Sequence, residues 1–289
     1  MTTVPEPVFV SAPAKINLFL HIGQRRADGF HALESLVVFA GASDKLALEA
    51  AGGLSLAIDG PFANALKPDA DNLVLKAARA LAEQAGVRKG ARIVLTKNLP
   101  VASGIGGGSA DAAAALRGLA RLWNLNITQE RLRGIGATLG SDVPVCIDST
   151  PAWMEGRGEK VTALGGIPGV AMVLVNPGVG VPTGKVFAAL KERRGVGLPL
   201  PPAMRNGTGL VAYLKTTAND LEAPAREIAP VIDDVLDALG SQPGALLARM
   251  SGSGATCFAL FGETEAAENT AMEIGSLNSG WWVVATTTA

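Results

Sequence analysis

Residues 97–116 read K-N-L-P-V-A-S-G-I-G-G-G-S-A-D-A-A-A-A-L, and no other stretch restricts the chain so tightly. An apolar run, Arg92-Ile93-Val94-Leu95, leads in and is predicted to be a strand. A loop of proline and glycine follows, and then alanines, the strongest helix formers. Gly104, Gly106, Gly107 and Gly108 leave a backbone edge with almost no side chains. Such a loop can turn through positive φ at little steric cost, so that successive amide N–H groups converge on an anion. Ser109 and Asp111 stand where the helix is expected to begin. Strand, glycine loop and helix N-terminus in this order bring amides and a positive helix end to one point, which suits phosphate. The competing reading is a glycine turn of purely structural use.

Two common glycine motifs do not fit. The dinucleotide fingerprint G-x-G-x-x-G starts at Gly104 and Gly106 but meets Ser109 at its third glycine. Its acidic residue is also missing, because the next carboxylate after Asp111 is Glu130, inside another predicted helix. The P-loop pattern ends in Gly-Lys-Ser/Thr, and no lysine follows these glycines.

Before the loop, Val8-Phe9-Val10 is predicted to be a short strand, interrupted at Ser11-Ala12-Pro13. Residues 15–23 then alternate, with Ile16, Leu18, Leu20 and Ile22 toward a core and Lys15, Asn17, Phe19 and His21 on the other face. Residues 25–31, R-R-A-D-G-F-H, form a polar turn that carries Phe30 next to His31. Residues 33–38, 44–48 and 54–58 suggest an early, mostly antiparallel sheet. Helices are predicted from Asn72 to Gly86, from Ser109 to Leu122 and from Thr128 to Gly140. Gly140-Ser-Asp-Val-Pro-Val places a single carboxylate, Asp142, before an apolar run; a cap or turn is its commonest use. Later come a strand over 169–176, a helix from Thr183 to Glu192, an exposed Gly/Pro-rich loop over 195–208 and a helix over 231–239. Met250-Ser-Gly-Ser-Gly-Ala-Thr-Cys257 is a second small-residue loop, leading into a strand over 257–261, a helix over 265–274 and a strand over 281–285.

Pro100-Val101-Ala102-Ser103-Gly104-Ile105-Gly106-Gly107-Gly108-Ser109-Ala110 resembles the phosphate loop of the GHMP kinase superfamily. A-P-A-K-I-N-L around Lys15 resembles that family's first motif, and the loop over 250–257 its third. R-x-D-G-F-H and G-S-D-V-P are similar to the branch acting on 4-diphosphocytidyl-2-C-methyl-D-erythritol. The matches fall in order and span nearly the whole chain. The resemblance implies an α+β, two-domain GHMP kinase fold: a ribosomal-S5-like N-terminal domain over 1–160 and a ferredoxin-like C-terminal domain over 161–289, with the active site in the cleft between them. It also implies ATP-dependent phosphorylation of the substrate's 2-hydroxyl. On this resemblance the loop residues 100–110 hold ATP phosphates, Asp142 is the catalytic base and Lys15 orients it and offsets developing charge. Asn17 and Thr183 approach the substrate, Phe30 and Phe187 sandwich the cytosine, and His31 hydrogen-bonds it. Phe30 stands where the family usually has tyrosine; stacking needs only the ring face. Mg²⁺ is expected with ATP, and no carboxylate cluster in the sequence marks a ligand. A homoserine- or mevalonate-type kinase is the alternative, although such substrates bring no base to stack.

Composition agrees. Among 289 residues, 25 basic and 26 acidic side chains nearly cancel, which argues against a nucleic-acid surface. No apolar run approaches the ~18 residues of a membrane span. Residues 1–7 lack the basic and apolar regions of a signal peptide. Cys146 and Cys257 sit in apolar surroundings without C-x-x-C spacing, so reduced cysteines and a cytoplasmic location are expected.

Overall fold

A computed structural model describes residues 6–69, 71–204 and 206–288, so most of the N-terminal segment weighed above as a signal peptide lies outside it. Along the chain the elements are β1 (Val8–Asn17), β2 (His21–Arg25), β3 (His31–Ala51), β4 (Leu54–Asp59), α1 (Leu73–Ala85), β5 (Gly90–Thr96), α2 (Gly107–Leu122), α3 (Gln129–Leu139) and α4 (Val143–Asp148). There follow β6 (Ala152–Gly156), β7 (Lys160–Ala163), β8 (Ala171–Asn176), α5 (Thr183–Ala188), α6 (Gly207–Leu214), α7 (Glu222–Ile228), α8 (Val231–Gly240), β9 (Ala245–Met250), β10 (Cys257–Phe261), α9 (Thr264–Leu277) and β11 (Trp282–Thr287). They form two compact units, each assembled from separate stretches. The first takes the chain up to Ala14, Ala42–Val101 and Gly106–Ser149; the second takes Lys15–Gly41, Ala102–Ile105 and the chain from Thr150 onward.

In the first unit the end of β3 pairs antiparallel with β5, from Lys45 opposite Thr96 to Ala51 opposite Gly90, and β4 lies parallel on the far side of β5. Helices cover this sheet because its inward positions, Leu46, Leu48, Ile93 and Leu95, are fully apolar. α1 begins on Asn72, whose side chain accepts from the Val74 N–H, and ends at Gly86 in the left-handed region, φ 65°. α3 is capped in the same way by Thr128, which accepts from Arg131. α2 is the central helix, with Ala112–Leu116 buried on every side. Small side chains allow that: a Cβ at Gly118 would stand 2.6 Å from Leu48 Cδ1.

In the second unit an antiparallel sheet runs β11-β8-β10-β9. Val173 and Val175 of β8 and Cys257, Ala259 and Phe261 of β10 pack against Ile232, Val235 and Leu239 of α8 and Ile274 of α9. The start of β3 pairs with β2 and β6, and β6 with β7. Three expectations change here. β1 passes through Ser11-Ala12-Pro13 without a break. The face carrying Lys15, Asn17, Phe19 and His21 is buried like its opposite, because Trp153 and Tyr213 close over Phe19 at 5.4 and 6.3 Å between ring centroids. The helix after Thr183 stops at Ala188 rather than at Glu192.

Among the described residues no helix is long and apolar enough to cross a membrane. Cys146 and Cys257 are buried and unbridged.

Candidate active site

In the second unit two loops of small residues meet backbone to backbone. Gly104 has φ +77° and Gly252 φ +56°; a Cβ on the first would lie 2.5 Å from the Ser251 carbonyl oxygen, and a Cβ on the second 2.5 Å from that of Gly104. Only glycine fits at either place. The Thr256 N–H donates to the Ser103 carbonyl at 3.1 Å, and Ser251 Oγ to the Gly104 carbonyl at 3.2 Å. Lys15 reaches the same loop, its N–H donating to the Ile105 carbonyl at 3.0 Å. The Asn17 N–H donates to Ser251 Oγ at 3.1 Å, and its Nδ2 donates to Ser35 Oγ at 2.7 Å. Its Oδ1 is buried without a hydrogen-bond partner. Asn219 closes the group, donating Nδ2 to the Met250 and Gly252 carbonyls, each at 2.8 Å. Thr183 Oγ1 lies 2.8 Å from Ser253 Oγ.

Among the aromatic residues of this unit one pair is stacked. Phe187 stacks on His31, ring centroids 5.7 Å apart and planes 22° from parallel. His31 Nδ1 is 3.3 Å from the Gly23 carbonyl, which as an acceptor takes the ring's N–H. Phe30 is 52% exposed, with the Arg157 guanidinium 5.4 Å from its ring centroid. Among the described residues no ring contact joins Phe30 to Phe187.

In the first unit Gly106, φ 65°, stands immediately before α2 and supplies no side chain to cap it. The helix therefore begins two residues before Ser109, because a glycine in the left-handed region turns the backbone early. Gly106 offers the first-turn N–H groups no side-chain acceptor, and an uncapped helix end can bind anions. Asp111 does not cap the helix, as its sequence position suggested. It faces inward, 2.8 Å from Lys97 Nζ. Lys97 also donates to Asp44, whose other oxygen accepts the Asn98 and Leu99 N–H groups at 2.6 and 2.8 Å. All three side chains are buried. Burial lowers the Lys97 ammonium, but the two carboxylates outweigh it and raise its pKa. Asp111 is pushed up to about 7, by burial first and then by Asp44, against the pull of Lys97. The directions agree physically, since one ammonium serves two carboxylates and Asp111 Oδ1 has no hydrogen-bond partner. A Cβ on Gly107 would lie 3.1 Å from Lys97 Nζ, so this buried cluster directly underlies the start of α2.

Asp142 occupies the position before α4, yet its side chain makes no capping bond to that helix. The cap reading, the commonest one for this residue type, accordingly does not account for it.

Two family models match the chain: "GHMP kinases N terminal domain" over residues 72–150 and "GHMP kinases C terminal" over 205–276. A 4-diphosphocytidyl-2-C-methyl-D-erythritol kinase of Rhodospirillum rubrum is 48% identical over 280 residues, 97% of this chain and 92% of the relative. The protein of that name from Cereibacter sphaeroides is 52% identical over 274 residues, 94% of this chain and 96% of its own. The chain belongs to the GHMP kinases. The crystal structure of a 4-(cytidine 5'-diphospho)-2C-methyl-D-erythritol kinase matches with a TM-score of 0.79 at 31% identity, covering 97% of this chain and 99% of that one. As a member of a kinase family, this GHMP kinase takes ATP as its co-substrate.

The structure thus draws Lys15, Asn17, Ser103, Gly104, Ile105 and Thr183 of this GHMP kinase into one region of the second unit, around residues 250–256. It places His31 on Phe187 in the same unit. Pro100, Val101, Gly106 to Ala110 and Asp142 belong to the first unit. Sequence reasoning passed over Lys97 and Asp44. The lysine directly before Asn98-Leu99-Pro100 was the available signal, since a lysine leading into an apolar loop needs carboxylate partners. Asp44, 53 residues away, gave none.

Proposed function

We propose that this GHMP kinase transfers the terminal phosphoryl group of ATP to the 2-hydroxyl of 4-diphosphocytidyl-2-C-methyl-D-erythritol, giving the 2-phosphate and ADP. One observation carries the proposal: relatives of that name match about half of all positions over nearly the full length of both chains. The stacked His31–Phe187 pair supports it, because homoserine and mevalonate have no ring to lie against an aromatic pair.

Phosphoryl transfer asks a protein mainly for positioning and charge stabilisation. In our reading the backbone N–H groups of residues 100–110 and the uncapped start of α2 hold the ATP phosphates. Asp142 accepts the proton of the 2-hydroxyl as its oxygen attacks the terminal phosphorus, while the bond from that phosphorus to the bridging oxygen of ADP breaks. Lys15 offsets the negative charge that develops. Asn17, with its buried unpartnered Oδ1, and Thr183 hold the sugar alcohol. Phe30 and Phe187 take the faces of the cytosine. With Nδ1–H given to Gly23, Nε2 of the His31 ring is the nitrogen left to accept from the base. Cytosine presents an amino donor on its pairing edge where uracil presents an oxygen, so this orientation favours cytosine.

ATP phosphates require a counter-ion, for which we propose Mg²⁺. Among the described residues no group of three or more His, Cys, Asp or Glu side chains could hold a metal. The carboxylate next to the loop, Asp111, is committed to Lys97. These residues do not fit a resident metal site, and Mg²⁺ enters our reading only as the partner of the nucleotide. The boundary near residue 160, between the two matched family segments, is our proposed division into N- and C-terminal domains. Two buried, unbridged cysteines suit a cytoplasmic enzyme.

The deciding measurement is ADP release by the purified chain with the cytidylated alcohol, homoserine and mevalonate in parallel. Turnover is expected with the first alone; equal or faster turnover with either of the others overturns the proposal.

A further inference from the structure

The chain that leaves α5, the helix carrying Phe187, is irregular from residue 190 to residue 200. Apolar packing does little to fix it: Val196 is 46% exposed, Leu198 38% and Leu200 52%. Behind its first part lies a cavity of about 630 Å³, bounded by residues 189–194 on one side and by Asn219, Asp220 and α7 on the other. A strap with so few apolar anchors beside an open pocket is held instead by two buried carboxylates.

Glu34, on β3 and 4% exposed, takes the Gly197 N–H on Oε1 at 2.6 Å and the Leu198 N–H on Oε2 at 3.0 Å. Asp220 Oδ2 takes the Arg194 N–H at 3.0 Å and, on the same atom, the Ile22 N–H of β2 at 2.8 Å. The Gly195 N–H completes the attachment on the Ile22 carbonyl at 3.2 Å. Bonds from backbone N–H groups to a carboxylate are charge-assisted and stronger than neutral ones. They bring Val196 over Gly23, where a Cβ would stand only 3.1 Å from Val196 Cγ1. Gly23 is also the residue whose carbonyl receives His31 Nδ1. The strap therefore starts from the helix bearing Phe187 and ends clasped against the residue that orients His31.

We propose that Glu34 is a positioning residue for recognition of the substrate's base: by clasping the strap over Gly23 it holds Phe187 and His31 at stacking distance. The inference rests on the substrate reading given above. Glu34 touches neither substrate nor the reacting atoms. Its loss is felt in the binding of the cytidylated alcohol and not in phosphoryl transfer.

Three variants, Glu34→Ala, Glu34→Gln and Val196→Ala, test this by steady-state kinetics and by limited trypsin digestion, which reports on Lys191, Arg193 and Arg194 in the strap. Misplacing a positioning group by about 1 Å can cost ~10²-fold, so Glu34→Ala is expected to raise KM for the cytidylated substrate about 10- to 100-fold. Its kcat and its KM for ATP should stay within about threefold of wild type, and cleavage at Arg193–Arg194 should accelerate. Glu34→Gln keeps one carbonyl acceptor and should fall between the two. Val196→Ala, at an exposed position that leaves the fold intact, should raise the same KM severalfold. Unchanged KM in Glu34→Ala and Val196→Ala, with an active wild type, overturns the proposal. So does a fall in kcat together with a rise in both KM values, in step with lost thermal stability. Unchanged trypsin cleavage overturns the clasp itself, whatever the substrate. No turnover by wild type with the cytidylated alcohol is a different result, and it defeats the substrate reading on which the role in base recognition depends.

Discussion

Asp111→Asn should change how the stability of this GHMP kinase depends on pH. In the folded chain Asp111 shares Lys97 with Asp44, and its pKa is pushed up to about 7, chiefly by burial. In the unfolded chain it returns to the ordinary aspartate value of about 3.9. Below that value both states carry the proton. Between about 4 and 7 the folded state keeps a proton that the unfolded state has released, so stability falls as pH rises. Above 7 both states have lost it and the contribution is constant. An interval of about three pH units at 1.36 kcal/mol each sets the loss at about 4 kcal/mol at most. Asparagine keeps a carbonyl oxygen for Lys97 and cannot ionise, so the variant loses this part of the slope. Urea melts of both proteins at half-unit steps from pH 4.5 to 8 measure the difference directly, and subtraction removes the other carboxylates. The variant should gain on wild type by a few kcal/mol between pH 4.5 and 7.5. Parallel curves, or a variant that loses ground as pH rises, would refute the picture of two carboxylates competing for one buried ammonium.

Asp142→Asn should lower kcat by ~10²–10⁴-fold, the usual range for a lost general base, with ATP binding intact by calorimetry; near wild-type turnover at saturating substrate would leave it a structural residue. Phe187→Ala should weaken binding of the cytidylated alcohol by about 1–3 kcal/mol, the scale of base stacking on an aromatic ring. ATP affinity should not move, and direct titration distinguishes the two ligands. His31→Ala should narrow the preference for CDP- over UDP-derivatives of the same alcohol, measured by competition; an unchanged ratio would remove His31 from base reading.

Where local chemistry decided the structure, the sequence was readable. Asn72 and Thr128 start helices, and Gly86 stops one, because a cap needs only neighbouring residues. The alanines after the glycine loop announced α2 and its close packing. Elsewhere the outcome depended on distant partners. The alternation over residues 15–23 was correct, but alternation cannot tell that both faces are covered; Trp153 and Tyr213, far along the chain, decide that. Asp111 looked like a helix-start carboxylate until Lys97 turned it inward. Lys15, Asp142 and the loop were visible as motifs, whereas Glu34 and Asp220 carry no motif, since what they bind is backbone. The Phe187–His31 stack joins residues 156 positions apart and no spacing rule could have paired them.

The meeting of Gly104 with Gly252 has a practical corollary. The join between these loops is made largely of peptide groups: the Thr256 N–H on the Ser103 carbonyl and the Lys15 N–H on the Ile105 carbonyl. An alanine scan removes side chains and would leave both bonds in place, so any loss it recorded at Ser103, Ile105 or Thr256 would report the side chain, buried in each case, and not these peptide contacts. Adding even a methyl group at Gly104 or Gly252 would drive it into backbone. A map of this region drawn from side-chain deletions would thus show a blank at its most constrained point. Replacing the Thr256 or Lys15 amide by an ester, which deletes a single N–H, is the chemical edit that would make the contact measurable.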